Sequence, residues 1–189
     1  MIGVLALQGD FIEHVYSLQK LGYSTKEVRT INDIKQVAGL IMPGGESTVI
    51  GKLLINTGLA NWIKNSAKNG FPVYGTCAGC ILLAKQVDSD YSLKLIDIAV
   101  QRNAYGRQLD SFETNLSANH FKNIPVVFIR APKILHAGKN VTILLKHNNS
   151  PVLVREKNIL AGTFHPELTN NLSVHRYFGE MTKTYSAHS

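Results

Sequence analysis

The stretch "FPVYGTCAGCILLAK" (71–85) contains both cysteines of the chain, Cys77 and Cys80. Its first half, Phe71 to Thr76, is a short apolar run of the kind buried on both faces of a sheet. Its second half, "AGCILLAKQV" (78–87), reads as a helix with no loop before it. A strand that runs directly into a helix is the repeating unit of a parallel α/β sheet. Three chemistries fit the Cys-x-x-Cys spacing: a redox dithiol, half of a metal clip, or one nucleophile with a bystander.

Upstream, "IGVLAL" (2–7) is another continuous apolar run, expected as the first strand. Asp10 is expected to cap a helix with Glu13 as its capping-box partner. Ile12, Val15, Leu18 and Leu21 would form the apolar stripe, and Gly22 the stop. "YSTKEVR" (23–29) and "VAGLIMPGG" (37–45) read as strands, and "ESTVIGKLLINTG" (46–58) and "LANWIKNSAKNG" (59–70) as helices. After residue 90 the pattern changes to closely spaced strand-like runs: "LKLIDIAVQR", "SFETNLS", "PVVFIRAP", "NVTILLKHN", "PVLVREKN" and "ILAGTFHP". A helix, "LSVHRYFGEMTKTYS" (172–186), follows them. The expected fold is α/β, one domain over 1–189. It is an open, mostly parallel, flavodoxin-like three-layer sheet with a mixed or antiparallel section in its second half.

Cys77 falls at the strand–helix junction with Gly75 and Gly79 two residues to either side, a thiol version of the nucleophile elbow. The helix N-terminus behind it favours negative charge on the sulfur, and the Ala78 N–H is free to face a developing oxyanion. A cysteine nucleophile also needs a base and an orienting group. "GTFHPEL" (162–168) supplies both, as His165 and Glu167. Pro166 keeps His165 out of the helical region, and in an extended chain residues i and i+2 point the same way. Elbow and His-Pro-Glu together favour the nucleophile reading, with Cys80 as an inward-facing bystander. The redox dithiol is the main rival. A zinc clip has no second Cys or His pair at ligand spacing.

"PGGES" (43–47), "GTCAG" and "FHPEL" together resemble the class I glutamine amidotransferases, whose triad is Cys-His-Glu. "LALQGDFIEH", "LIMPGGESTV", "QRNAYGRQLDSFE", "FIRAP" and "FHPELT" narrow the resemblance to the glutaminase subunits of pyridoxal 5′-phosphate synthase. The resemblance implies that Cys77, His165 and Glu167 hydrolyse L-glutamine through a glutamyl thioester, with the oxyanion held by the backbone N–H groups of Gly45 and Ala78. It places the glutamine contacts on Gly45, Glu46, Ser47, Arg102, Ile129 and Arg130, with Arg102 in a loop that also holds Asn103 and Arg107. No cofactor and no metal is expected. As partner the resemblance implies a (β/α)₈-barrel synthase subunit that receives the ammonia, in assemblies of twelve copies of each subunit. Glutaminases feeding an imidazole-glycerol-phosphate or GMP synthase are the nearest alternatives. A Cys-elbow hydrolase or stress protein and a non-catalytic interaction module stand further off.

Composition sets the remaining bounds. The chain has 189 residues, 44% hydrophobic and 17% charged, which suits a globular domain with a sizeable core. No apolar run approaches the roughly 18 residues of a membrane span, and no basic region precedes the apolar start "MIGVLALQGD". We therefore expect a buried strand there rather than a signal peptide, reduced thiols and a cytoplasmic setting. The net charge of +7 is spread without a basic patch, so nucleic acid is not an expected partner.

Overall fold

The computed structural model describes residues 1–88, 91–102, 111–118 and 120–186. Asn103 and Arg107, with the rest of residues 103–110, lie outside the described residues. The first half of the chain forms β1 (Ile2–Leu5), α1 (Phe11–Lys20), β2 (Thr25–Val28), α2 (Ile31–Ile34), β3 (Leu40–Met42), α3 (Ser47–Asn56) and α4 (Leu59–Lys68). Next come β4 (Val73–Thr76), α5 (Ala78–Leu83), β5 (Ala84–Val87) and β6 (Ile96–Gln101). The remainder forms β7 (Ser111–Ala118), β8 (Phe121–Ile129), β9 (Lys133–Ala137), β10 (Thr142–His147), β11 (Ser150–Glu156) and β12 (Ile159–Gly162). A short 3-10 turn, Pro166–Leu168, then leads to α6 (Ser173–Ser186).

The main sheet has seven strands in the order β10-β11-β12-β4-β3-β1-β2. β2, β1, β3, β4 and β12 run parallel, while β11 and β10 are added antiparallel, so the change of pattern in the second half of the sequence is real. Alternation along each central strand feeds a core on either face. Leu40, Met42 and Val73 enter one core with Leu54, Leu59 and Ile63 of α3 and α4. Ile41 and Tyr74 enter the other, with Leu18 of α1, Phe178 of α6 and Val126 and Phe128 of β8. The layers are thus helix, sheet, and a second covering shared by helices and the β7–β8 hairpin. Among the described residues no helix is long and apolar enough to cross a membrane.

Several local expectations need correction. Asp10 does precede α1, but its side chain makes no cap hydrogen bond, because the carboxylate turns toward His165 instead. The capping box forms at Thr30 and Asp33, where it starts α2, a helix the apolar pattern did not reveal. On α1 the buried face comprises His14, Val15, Ser17 and Leu18, whereas Ile12 is exposed. The helix expected over 78–87 stops at Leu83. The carbonyls of Leu82 and Leu83 accept from Leu93 N and Leu95 N at 2.7 and 2.8 Å, and the chain continues as β5 beside β6. Strand β9, paired with β6, also has no counterpart in the sequence reading.

Candidate active site

Of the five parallel strands, β1, β3, β4 and β12 carry the site at one edge of the sheet, where open α/β folds bind ligands. β4 ends at Thr76 and α5 begins at Ala78, leaving Cys77 alone to turn the chain, at φ 48 and ψ −103. Positive φ is costly for a residue with a Cβ and is characteristic of constrained functional positions. The turn is held by Cys77 N donating to Gly162 O at 2.9 Å and Ile81 N to Cys77 O at 3.2 Å. Both flanking glycines are required by space. A Cβ on Gly75 would lie 2.5 Å from the Gly79 carbonyl group, and one on Gly79 would lie 2.2 Å from Met42 O.

His165 follows β12, with its N–H bonded to Val127 O at 2.8 Å. Its backbone, at φ −106 and ψ 85, is not helical, as Pro166 dictates. The route by which it meets Glu167 differs from expectation. Residues 166–168 form a 3-10 turn rather than an extended chain, and this turn swings the carboxylate back onto the imidazole. His165 Nδ1 and Glu167 Oε1 are 2.7 Å apart and buried. The imidazole and Cys77 line the same pocket, and the Cys77 Sγ donates toward Ile129 O at 3.9 Å. Burial disfavours the charged imidazole. The interaction with Cys77, the hydrogen bond to Glu167 and the Glu167 charge outweigh it, holding His165 up at about 10. Burial raises the Glu167 carboxyl, and its bond to His165 pulls it back. Cys80 is fully buried, and burial pushes its thiol far up, as suits a bystander. Neither cysteine is in a disulfide.

A pocket of about 400 Å³ opens over Cys77. Gly45, Glu46, Ser47, Ala78, Arg102, Ile129, Arg130 and His165 all line it, so the structure brings together every candidate except Glu167, which lies behind His165. Glu46 caps α3 through a bond from Thr48 N at 3.1 Å. Its Oε1 is also 3.3 Å from Arg102 Nη2, so the two charges that would meet a zwitterion face each other across the pocket rim. Gly45 has φ 146, and a Cβ there would lie 2.6 Å from Gln8 Oε1. Gln8 Oε1 in turn accepts from Glu46 N at 2.9 Å, which locks the loop after β1 to the loop after β3.

Sequence reasoning missed three contributors. Asp10 and Ile81 also line the pocket. Gly44, the penultimate residue of the run 37–45, is a close-approach position, since a Cβ on it would lie 2.5 Å from His165 Cε1. Asp10, His165 and Glu167 offer ligand atoms within 4.8 Å of one another. His165 Nδ1 is, however, already hydrogen-bonded to Glu167 Oε1 at 2.7 Å, while Asp10 Oδ2 stands off at 4.0 Å.

A thiol at a helix N-terminus, an imidazole on it and a carboxylate behind define a site able to carry out nucleophilic acyl transfer on a three-layer α/β scaffold. The chain belongs to the SNO glutamine amidotransferase family, whose model matches residues 4–184. It is 52% identical over 184 residues to the pyridoxal 5′-phosphate synthase subunit PdxT of Pseudothermotoga lettingae, covering 95% of this chain and 94% of that one. A crystal structure of a glutamine amidotransferase superposes with a TM-score of 0.93 at 43% identity, covering 96% of this chain and 98% of that one. A glutamine amidotransferase from Thermotoga maritima shares the fold, with a TM-score of 0.63 at 14% identity, covering 97% of this chain and 85% of that one.

Proposed function

We propose that this chain is the glutaminase subunit of a pyridoxal 5′-phosphate synthase, and that Cys77, His165 and Glu167 carry the reaction. The Cys77 sulfur attacks the side-chain amide carbon of L-glutamine, and the C=O electrons move onto oxygen. Backbone N–H groups at Gly45 and Ala78 stabilise that oxyanion. His165, having accepted the thiol proton, delivers it to the amide nitrogen; the C–N bond breaks and ammonia leaves. Water, deprotonated by His165, then attacks the glutamyl thioester, releases glutamate and returns the thiol. Glu167 holds the imidazole in one tautomer and balances its charge. Arg102 and Glu46 exchange their mutual contact for the substrate's α-carboxylate and α-ammonium, with Ser47, Ile129 and Arg130 completing the walls.

The observation that carries this reading is the buried Glu167–His165 hydrogen bond behind a pocket that His165 shares with Cys77, with the Glu46 carboxylate and the Arg102 guanidinium paired at its rim. The identity to a PdxT over nearly the whole chain supports glutamine as substrate and a barrel synthase as recipient of the ammonia. We extend the proposal to a cytoplasmic assembly of twelve copies of each subunit, in which docking on the loops at residues 7–10 and 43–47 fixes the oxyanion hole. Titrating the synthase subunit into this chain while following glutamate production tests it. Activity should rise to a plateau with the partner. Full activity in the isolated chain, unchanged by saturating partner, would contradict partner control, and no glutamate under either condition would contradict the function.

A further inference from the structure

Behind the triad lies a buried pair of histidines that the reaction as written does not use. His14, on the inner face of α1, and His175, on the first turn of α6, are both fully buried and 161 positions apart in sequence. His14 Nδ1 is 2.9 Å from His175 Nε2. His14 Nε2 is 3.2 Å from Thr76 Oγ1, on the residue before Cys77, and 3.4 Å from Glu167 Oε2. Among the described residues neither that carboxylate oxygen nor His175 Nδ1 has a hydrogen-bond partner, although both are buried, so the 3.4 Å approach of His14 Nε2 is the donor contact nearest the carboxylate oxygen.

We propose that His14 is a positioning residue for Glu167, donating from Nε2 toward Oε2 and Thr76, and that His175 sets its tautomer. The inference rests on the triad reading above. A neutral imidazole has one N–H and one bare nitrogen, and burial keeps both rings neutral, lowering His14 far below its ordinary value and His175 to about 4. If His14 donates from Nε2, its Nδ1 accepts and His175 must donate from Nε2. The atom then left without a partner is the bare His175 Nδ1, an acceptor lone pair. The opposite arrangement leaves a buried N–H on His175 Nδ1 with nothing to bond and turns the His14 Nε2 lone pair on the Glu167 carboxylate. Both consequences are unfavourable, so one direction of the relay is selected.

The relay runs His175 → His14 → Glu167, and Glu167 accepts from His165 on its other oxygen. With a donor on Oε2, the carboxylate stays ionised in a buried site and cannot rotate Oε1 away from His165. The shared contact with Thr76 ties the end of β4, and so the nucleophile, to the same support.

Two measurements test this. Long-range ¹H–¹⁵N correlation spectra of the full chain labelled with ¹⁵N-histidine at neutral pH should give His14 and His175 as neutral Nε2–H tautomers. A His14 Nδ1–H tautomer or an imidazolium at either position overturns the proposal, whatever reaction the protein catalyses. In glutaminase assays with the synthase subunit present, His14→Leu should lower kcat at least about tenfold, the scale of losing a group that orients a functional side chain. KM should stay within about twofold of wild type. His14→Gln, which can place an amide N–H near the position of Nε2, should recover most of the lost rate. A folded His14→Leu protein with wild-type kcat, or a Gln variant as impaired as the Leu variant, would also overturn it. The spectra of the unmutated chain decide the matter if His14→Leu does not fold.

Discussion

Cys77 and Cys80 sit one helical turn apart in opposite surroundings, one facing a pocket and the other enclosed in the core. Cys77→Ala should therefore abolish glutamine hydrolysis, while Cys80→Ala keeps most of it, as a glutamate assay on both variants would record. Cys80→Ser should be less stable than Cys80→Ala by about 1–3 kcal/mol in urea unfolding, because it buries a hydroxyl in an apolar cluster. His165→Asn should be as damaging as loss of the thiol, since in the proposed reaction both proton transfers pass through it. Glu167→Gln should be roughly ten- to a hundredfold less damaging, because it removes orientation and charge but leaves the base. Equal kcat values for His165→Asn and wild type would contradict the assignment. At this scale Cys77, His165 and Glu167 were legible because elbow and His-Pro-Glu are short-range spacings. His14 was not, since in sequence it is one more position on an α1 stripe beside Val15 and Leu18, and its partner lies at the far end of the chain. Gly44 was equally silent, because its reason is an imidazole brought to it only by tertiary folding.

Among the elements, β3, β4 and α5 form a tightly spaced joint, because Gly79 brings the helix backbone onto the carbonyl of Met42. Gly79→Ala should cost at least about 1–3 kcal/mol through forced separation of α5 from β3, and activity should fall with it as the elbow shifts. Gly22, at the end of α1, makes the contrast. It has φ 81 but nothing within 4 Å of a built Cβ, so Gly22→Ala should cost only about 1 kcal/mol of backbone strain and leave activity intact. Urea midpoints of the two variants check the difference, and similar losses would refute the packing account of Gly79. The parallel strands were readable because runs such as "IGVLAL" and "FPVYGT" are apolar on both faces. The α5–β5 boundary was not, because "CILLA" has no period that separates helix from strand, and the stop is imposed by Leu93 and Leu95 bonding the last carbonyls from a distance. The capping box was looked for at Asp10 and formed at Thr30 because both sites carry the same local signal. Only the fold places Asp10 beside His165.

For the molecule as a whole, the buried histidines make stability depend on pH in a definite direction. Below its ordinary value of 6.5, His175 takes up a proton in the unfolded chain, but in the folded chain only near 4. Its contribution is therefore present above 6.5 and lost as pH falls toward 4, about 3 kcal/mol if the shift is fully expressed. His14 acts in the same sense, and the raised Glu167 opposes them in part of that range. His165 has the opposite sign: its folded value near 10 gives stability that is present below 6.5 and lost as pH rises through 10. The melting temperature should thus be highest near neutrality, and His175→Gln should flatten the acid side. A wild-type melting temperature that rises on acidification from 6.5 to 4 would contradict the buried, neutral pair. The overall α/β plan and its antiparallel addition were legible in the order of apolar runs, whereas the β7–β8 hairpin covering one face was not, because strand patterns do not say which sheet a strand joins. The central claim is that Cys77 becomes covalently acylated by glutamine. Acid-quenching the Cys80→Ala variant during turnover, with the synthase subunit present, and reading the intact mass and peptide fragments tests it directly. The account predicts one added glutamyl group, localised to Cys77 and absent from Cys77→Ala, and glutamate release with no acylated cysteine at any quench time would contradict it.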